Sequence, residues 1–96
     1  MTTFETIKAI PDDHPSFPDH FPKNPILPGS ILAELVVAAA TDAGWRVTSI
    51  ETIKFARPIR SGGSLRVVLT RNGNAARFEC HKEEAVVAVG RLRIDQ

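Results

Sequence analysis

The residues predict an α+β fold in which an antiparallel sheet curls around one central helix, and three observations carry that prediction. Ile31 to Ala40 holds nine apolar residues and a lone acid, Glu34, which suits one helix and falls well short of a membrane span of ~18 residues. Four β-rich segments follow it, separated by Ser61-Gly62-Gly63, Asn72-Gly73 and Lys82-Glu83-Glu84, each a turn signal. Strands joined by hairpins cannot build the parallel sheet of a doubly wound fold, so wrapping a sheet around the helix is the economical way to bury it.

Phe4 to Ala9 alternates Phe4, Thr6 and Lys8 against Glu5, Ile7 and Ala9, and Pro11-Asp12-Asp13 ends this short strand. Six prolines between Pro11 and Pro28 then forbid any helical or strand period, leaving a stiff loop that carries His14, Phe17, His20 and Phe21. A loop of that length in so small a domain is expected to be functional. Gly29-Ser30 opens the helix after Pro28, and Asp42-Ala43-Gly44 stops it. Because the helix is apolar on nearly every face, it is expected to be wrapped by the rest of the chain. Trp45 follows and is expected to cap the core. The predicted strands are Val47 to Ile59, Ser64 to Thr70, Ala75 to His81 and Ala85 to Ile94.

Composition narrows the function classes. Ninety-six residues, 43% hydrophobic and 24% charged, fit one globular domain over residues 1–96. The start of the chain lacks the basic and apolar pattern of a secretion signal, and the single cysteine, Cys80, cannot build an intrachain disulfide framework. The expectation is therefore a cytoplasmic protein without a membrane span. A core of this size is marginal, so association with a second copy is expected. Charge is divided unevenly: residues 1–42 hold two bases against six acids, and residues 43–96 hold ten bases against five acids. The basic half has Phe55 and Phe78 as its only Phe or Tyr residues, which disfavours stacking on nucleic acid and leaves a basic patch for an acidic partner.

Two titratable groups stand out. Glu34 lies one turn into an apolar helix, so it is expected to be desolvated with a raised pKa. His20 lies in the stiff loop before that helix. A neutral carboxylic acid beside a neutral imidazole supplies one proton donor and one acceptor, which elimination or hydration at a C–OH bond requires. Gly29 would present a backbone N–H at the positive end of the helix dipole, where a thioester oxygen could be held. The plainer alternatives are a solvent-facing Glu34, a His20 bonded to a carbonyl, and a Gly29 that only permits a turn. Cys80 has no basic neighbour that marks it as a nucleophile. His81 adjoins a polar turn and is expected to be exposed. Asp12, Asp13, His14, Asp19 and His20 form an oxygen-rich loop, but no ligand spacing there is diagnostic of a metal, so none is assigned.

The segment His20-Phe21-Pro22-Lys23-Asn24-Pro25-Ile26-Leu27-Pro28-Gly29, with Glu34 fourteen positions after the histidine, resembles the H-F-P-x-x-P-x-x-P-G signature of the β-hydroxyacyl-acyl-carrier-protein dehydratases of the FabZ/FabA type. Lys54-Phe55-Ala56-Arg57-Pro58, with Gly63 and Leu65 downstream, is similar to that family's K-F-x-R-P block and the turn after it. The resemblance runs from about Phe4 to Ile94. It implies the hotdog fold, active sites at a dimer interface, and a histidine and an acid that meet from different subunits. It also implies that His20 takes the α-proton of a 3-hydroxyacyl thioester, that Glu34 protonates or orients the departing hydroxyl, and that the Gly29 N–H holds the thioester oxygen. Phe21, Pro28, Ser30, Phe55 and Arg57 would then contact a substrate whose acyl tail lies in an apolar tunnel beside the helix. No cofactor is implied.

The carrier would be an acyl-carrier protein or coenzyme A. Because acyl-carrier proteins are acidic, Lys54, Arg57 and Arg60 are candidate docking residues. The chain departs from the pattern at Asp19, Lys23, Leu35-Val36-Val37-Ala38 and Gly63-Ser64, differences expected to bear on substrate length and full activity more than on fold. Short chains of this kind resemble components of specialised acyl or polyene pathways, where some work beside a second hotdog subunit, so a homodimer, a larger oligomer or a heteromer is expected. The competing readings are a hotdog thioesterase, in which a carboxylate positions water, and a non-catalytic partner of an active homologue.

Overall fold

The computed structural model describes residues 1–11 and 26–95. Their elements run β1 (Thr2–Ala9), α1 (Gly29–Asp42), β2 (Arg46–Phe55), β3 (Ser64–Asn72), β4 (Ala75–Lys82) and β5 (Ala85–Asp95). The five strands form one antiparallel sheet in the order β1-β3-β4-β5-β2, with α1 packed on one face. This is the α+β architecture expected, with β2 and β1 as its edges.

Alternation decides which face each strand buries. Leu65, Val67 and Leu69 of β3, Ala76, Phe78 and Cys80 of β4, and Ala88, Leu92 and Ile94 of β5 are all buried. They meet Ile31, Leu32, Val36, Ala39 and Ala40 of α1 in a single core. The other face of the helix is a correction to the fully wrapped rod expected: Ser30, Glu34 and Thr41 are exposed, and Ala33, Val37 and Ala38 are half-buried. A sheet that packs on one side of a helix covers only one stripe of it.

The helix ends as its residues dictate. Gly44 takes φ +81°, and the Gly44 and Trp45 N–H groups donate to the carbonyls of Thr41 and Ala40, a Schellman closure. Trp45 then packs against the core beside Phe4, with the Arg71 guanidinium 5.5 Å from its ring centroid. Lys8 of β1 forms an ion pair with Asp42 in the last turn of α1, where an acid faces the negative end of the dipole.

Strand ends differ from expectation by one or two residues in β1, β3, β4 and β5, and the end of β2 differs by more. β2 stops at Phe55 rather than at Ile59, and Pro58, with no N–H to give, cannot carry the ladder further. Ile59 nevertheless enters the core from the loop, and its carbonyl accepts from the Leu27 N–H at 2.6 Å. The β3–β4 hairpin places Gly73-Asn74 at its centre, with Gly73 at φ +65° and Asn74 without a positive φ, as a type II′ turn requires. The β4–β5 hairpin centres on Glu83 (φ 52°) and Glu84 (φ 69°), a primed turn made without glycine.

Candidate functional site

The start of α1 is built by three local features. Pro28 caps it with an extended backbone (φ −66°, ψ 151°) and no side-chain hydrogen bond, and the first turn contains no acid. The Pro28 carbonyl accepts from the N–H groups of Ile31 and Leu32, both at 3.1 Å. Among the described residues nothing accepts from the N–H groups of Gly29 and Ser30. This leaves two donors at the positive end of the helix dipole.

A second strand-like contact fixes this end against the loop after β2. Ile26 bridges Arg60, and Leu27 bonds to Ile59. The Phe55 ring closes over Gly29: a Cβ built on Gly29 would lie 3.7 Å from its Cε2, ordinary van der Waals contact. Phe55 remains 45% exposed, an unusual state for a phenylalanine at the end of an edge strand. Pro28, Gly29, Ser30 and Phe55 are thus brought together at one end of the helix.

Glu34 sits on the same helix face as Ser30, four residues and ~6 Å along the axis. It is exposed and makes no ion pair or hydrogen bond among the described residues, which corrects the expectation of a desolvated carboxyl within one chain. The sheet covers the opposite stripe of α1, so only a body outside the described residues could dry this acid. His20 and Phe21 lie outside the described residues, as do Asp12, Asp13, His14 and Asp19. No group of three or more potential metal ligands occurs among the described residues.

The three proposed docking cations separate. Arg57 and Arg60 line a small basin of about 280 Å³ with Lys82, next to the Leu27–Ile59 link. Lys54 lines a different basin on the sheet face away from α1. Lys82 is read in the sequence only as part of a turn, yet its Nζ donates to the Arg60 carbonyl at 2.7 Å and ties the β4–β5 turn to this loop.

Two other residues resolve differently. The buried Cys80 thiol has its pKa pushed up to about 12, mainly by desolvation, which makes it inert as a nucleophile. His81 is not exposed as expected; its side chain is largely covered and its Nε2 lies 2.6 Å from Glu79 Oε1. Strand alternation puts both on one face two residues apart, a signal the sequence already held.

Comparison with known proteins bears on the chemistry. Residues 1–91 match the family described as ApeI-like, ApeI dehydratase. The chain is 33% identical over 86 residues to a 3-hydroxyacyl-[acyl-carrier-protein] dehydratase, FabZ, of Ehrlichia chaffeensis, covering 78% of this chain and 60% of that protein. It therefore spans under two thirds of that relative's length. Among solved structures, a dehydratase heterocomplex, ApeI:P, from Xenorhabdus doucetiae superposes with a TM-score of 0.73 at 23% identity, covering 96% of this chain and 86% of the other. A fluoroacetyl-CoA-specific thioesterase, FlK, superposes with a TM-score of 0.71 at 13% identity, covering 98% and 85%. At those identities the superpositions establish the hotdog fold and, since one neighbour is a thioesterase, do not select a reaction. Among the described residues no helix is long and apolar enough to cross a membrane. The match that takes in nearly all of the described chain does select a lineage: the protein belongs to the ApeI-like dehydratase family, a hotdog-fold group.

Proposed function

We propose that this protein, a single hotdog domain, dehydrates 3-hydroxyacyl thioesters to trans-2-enoyl thioesters. The observation that carries the reading is the open start of α1, where Gly29, its N–H without an acceptor among the described residues, lies beside the Phe55 ring and five residues (~7.5 Å) along the helix from Glu34, which has no partner among those residues. In this mechanism the Gly29 N–H donates to the thioester oxygen and stabilises the negative charge that grows there as the α-proton leaves. His20 removes that proton. Glu34, protonated, gives its own proton to the β-hydroxyl, so water departs as the double bond forms, and the two residues exchange protonation states. No redox step occurs and no cofactor is needed.

Glu34 exposed on one chain suits a site completed by another, because a partner that covers Ser30, Glu34 and Ala38 would dry the carboxyl and close a tunnel along the helix. The partner is a second copy or another hotdog subunit. Among the described residues β2 is an edge strand of ten residues that such a partner could meet. The substrate is carried on an acyl-carrier protein, an acidic protein suited to the Arg57–Arg60–Lys82 basin, or on coenzyme A. Pro28 and Ser30 flank the entrance, and Phe21 keeps the substrate-contact role that the resemblance implies. A buried, free Cys80 fits a reducing cytoplasm.

Incubation with 3-hydroxyacyl and enoyl carrier-protein thioesters, followed by mass in both directions, tests the reaction. Loss or gain of water is the expected result, and thiol release without it would replace the proposal with a thioesterase. His20→Ala and Glu34→Gln should each lower turnover by at least about a hundredfold. If the two residues meet across a homodimer, mixing these inactive variants should restore about a quarter of wild-type activity per chain, because half the dimers then hold one intact site. No recovery would place both residues in one subunit or in a heteromer.

A further inference from the structure

The sheet face away from α1 carries a broad basin of about 840 Å³ that the proposed reaction does not use. Register aligns Thr3, Thr70, Arg77, Arg91 and Thr52 in one row across all five strands. Arg77 and Arg91 are therefore directly opposed on neighbouring strands, an arrangement of like charges that weakens a sheet. The adjacent row adds Lys54 on β2.

Ion pairing on this face is selective. Arg66 meets Glu5 at 3.2 Å and Arg93 meets Glu51 at 2.9 Å. Arg77, Arg91 and Lys54 make no ion pair among the described residues, and the basin's acid, Glu79, turns to His81. Arg77, Arg91 and Lys54, none of them ion-paired among the described residues and Arg91 within coulombic reach of Glu51, thus surround a floor that includes Val68 and Val89.

We propose that this face docks an acidic protein segment, a helix with carboxylates four residues apart. Arg77, Arg91 and Lys54 lie on three consecutive strands, so their backbones spread over ~10 Å. Carboxylates at i and i+4 on a helix are ~6 Å apart, a spacing that flexible guanidinium and ammonium groups can bridge. The basin opens onto the outer face of the sheet, which suits a macromolecular surface better than an enclosed small anion. It presents no exposed aromatic ring on which a base could stack, since the Phe78 side chain is buried in the core. A second copy presenting the same face would bring Arg77 and Arg91 against their own kind.

The test uses the full chain and a labelled helical peptide with glutamates at every fourth position, read by fluorescence anisotropy at two salt concentrations. A scrambled peptide of the same composition, and a single-stranded RNA of the same charge, are the comparisons. The striped peptide should bind at least tenfold more tightly than either, and more weakly as salt rises. Arg77→Glu should weaken it at least tenfold, whereas Arg46→Glu, the same change of net charge elsewhere, should alter it less than twofold. Arg77→Gln should melt at the same temperature or higher, since it removes an opposed charge. Equal binding of striped and scrambled peptides, tighter binding of RNA, a lower melting temperature for Arg77→Gln, or a change of oligomeric state in Arg77→Glu would each overturn the proposal.

Discussion

Phe78 of β4 lies over Gly90 of β5, its register partner, so closely that a Cβ at position 90 would overlap both the Phe78 Cζ and the Thr52 carbonyl oxygen. The missing side chain lets the aromatic ring fill the centre of the sheet, and the backbone carbonyl cannot retreat without breaking the β2–β5 ladder. Gly90→Ala should therefore destabilise the fold by about 2–3 kcal/mol. For a domain of this size, thermal melting should fall by at least about 10 °C. Phe78→Leu added to Gly90→Ala should recover only part of the loss, because the clash with Thr52 remains.

The β4–β5 turn asks two glutamates to hold left-handed backbones, which costs roughly 1 kcal/mol or more for each L-residue with a Cβ. Asn and Gly carry that conformation at lower cost. Replacing Glu83→Asn together with Glu84→Gly should raise unfolding free energy by about 1 kcal/mol in urea titrations. A fall would show that the glutamate side chains stabilise the turn by more than their backbones cost.

Cys80 couples stability to alkaline pH. Burial raises its folded pKa to about 12, well above that of an exposed thiol, so the unfolded chain loses the thiol proton first. The stabilisation is intact below about pH 9 and declines as pH climbs toward about 12, by at most about 1.4 kcal/mol per pH unit. Denaturation of wild type and Cys80→Ala between pH 8 and about 11 should show a steeper loss in wild type. Parallel curves would refute the assignment, and a thiol reagent should label Cys80 only as the chain unfolds.

The start of α1 permits a separation of fold from chemistry. Gly29 is the first helical residue, and Pro28 before it already has the extended backbone that a following proline demands. Gly29→Pro should fold with unchanged stability while losing the N–H proposed to hold the thioester oxygen, lowering kcat about a hundred- to a thousandfold. Gly29→Ala keeps the N–H and places its methyl in ordinary contact with Phe55, so it should retain activity within a few-fold. Equal activity in both variants would remove the N–H from the mechanism.

Much of this molecule was legible in its residues because period and punctuation are local. Alternation in Ser64 to Thr70 and the apolar run of Ile31 to Ala40 located a strand and the helix, and Gly44 marked its stop. The motif from His20 to Gly29, with Glu34 beyond it, named the family before the comparison with residues 1–91 did so. Spacing along a chain cannot say which side of a helix a sheet will cover, however, and so Glu34 was expected to be dry when one chain leaves it in solvent. Nor can it pair Arg77 with Arg91, seat Phe78 on Gly90, or lay Phe55 against Gly29. These contacts join residues far apart in sequence, and they exist only once the strands have found their order and register, since a shift of one residue would turn every side chain to the other face.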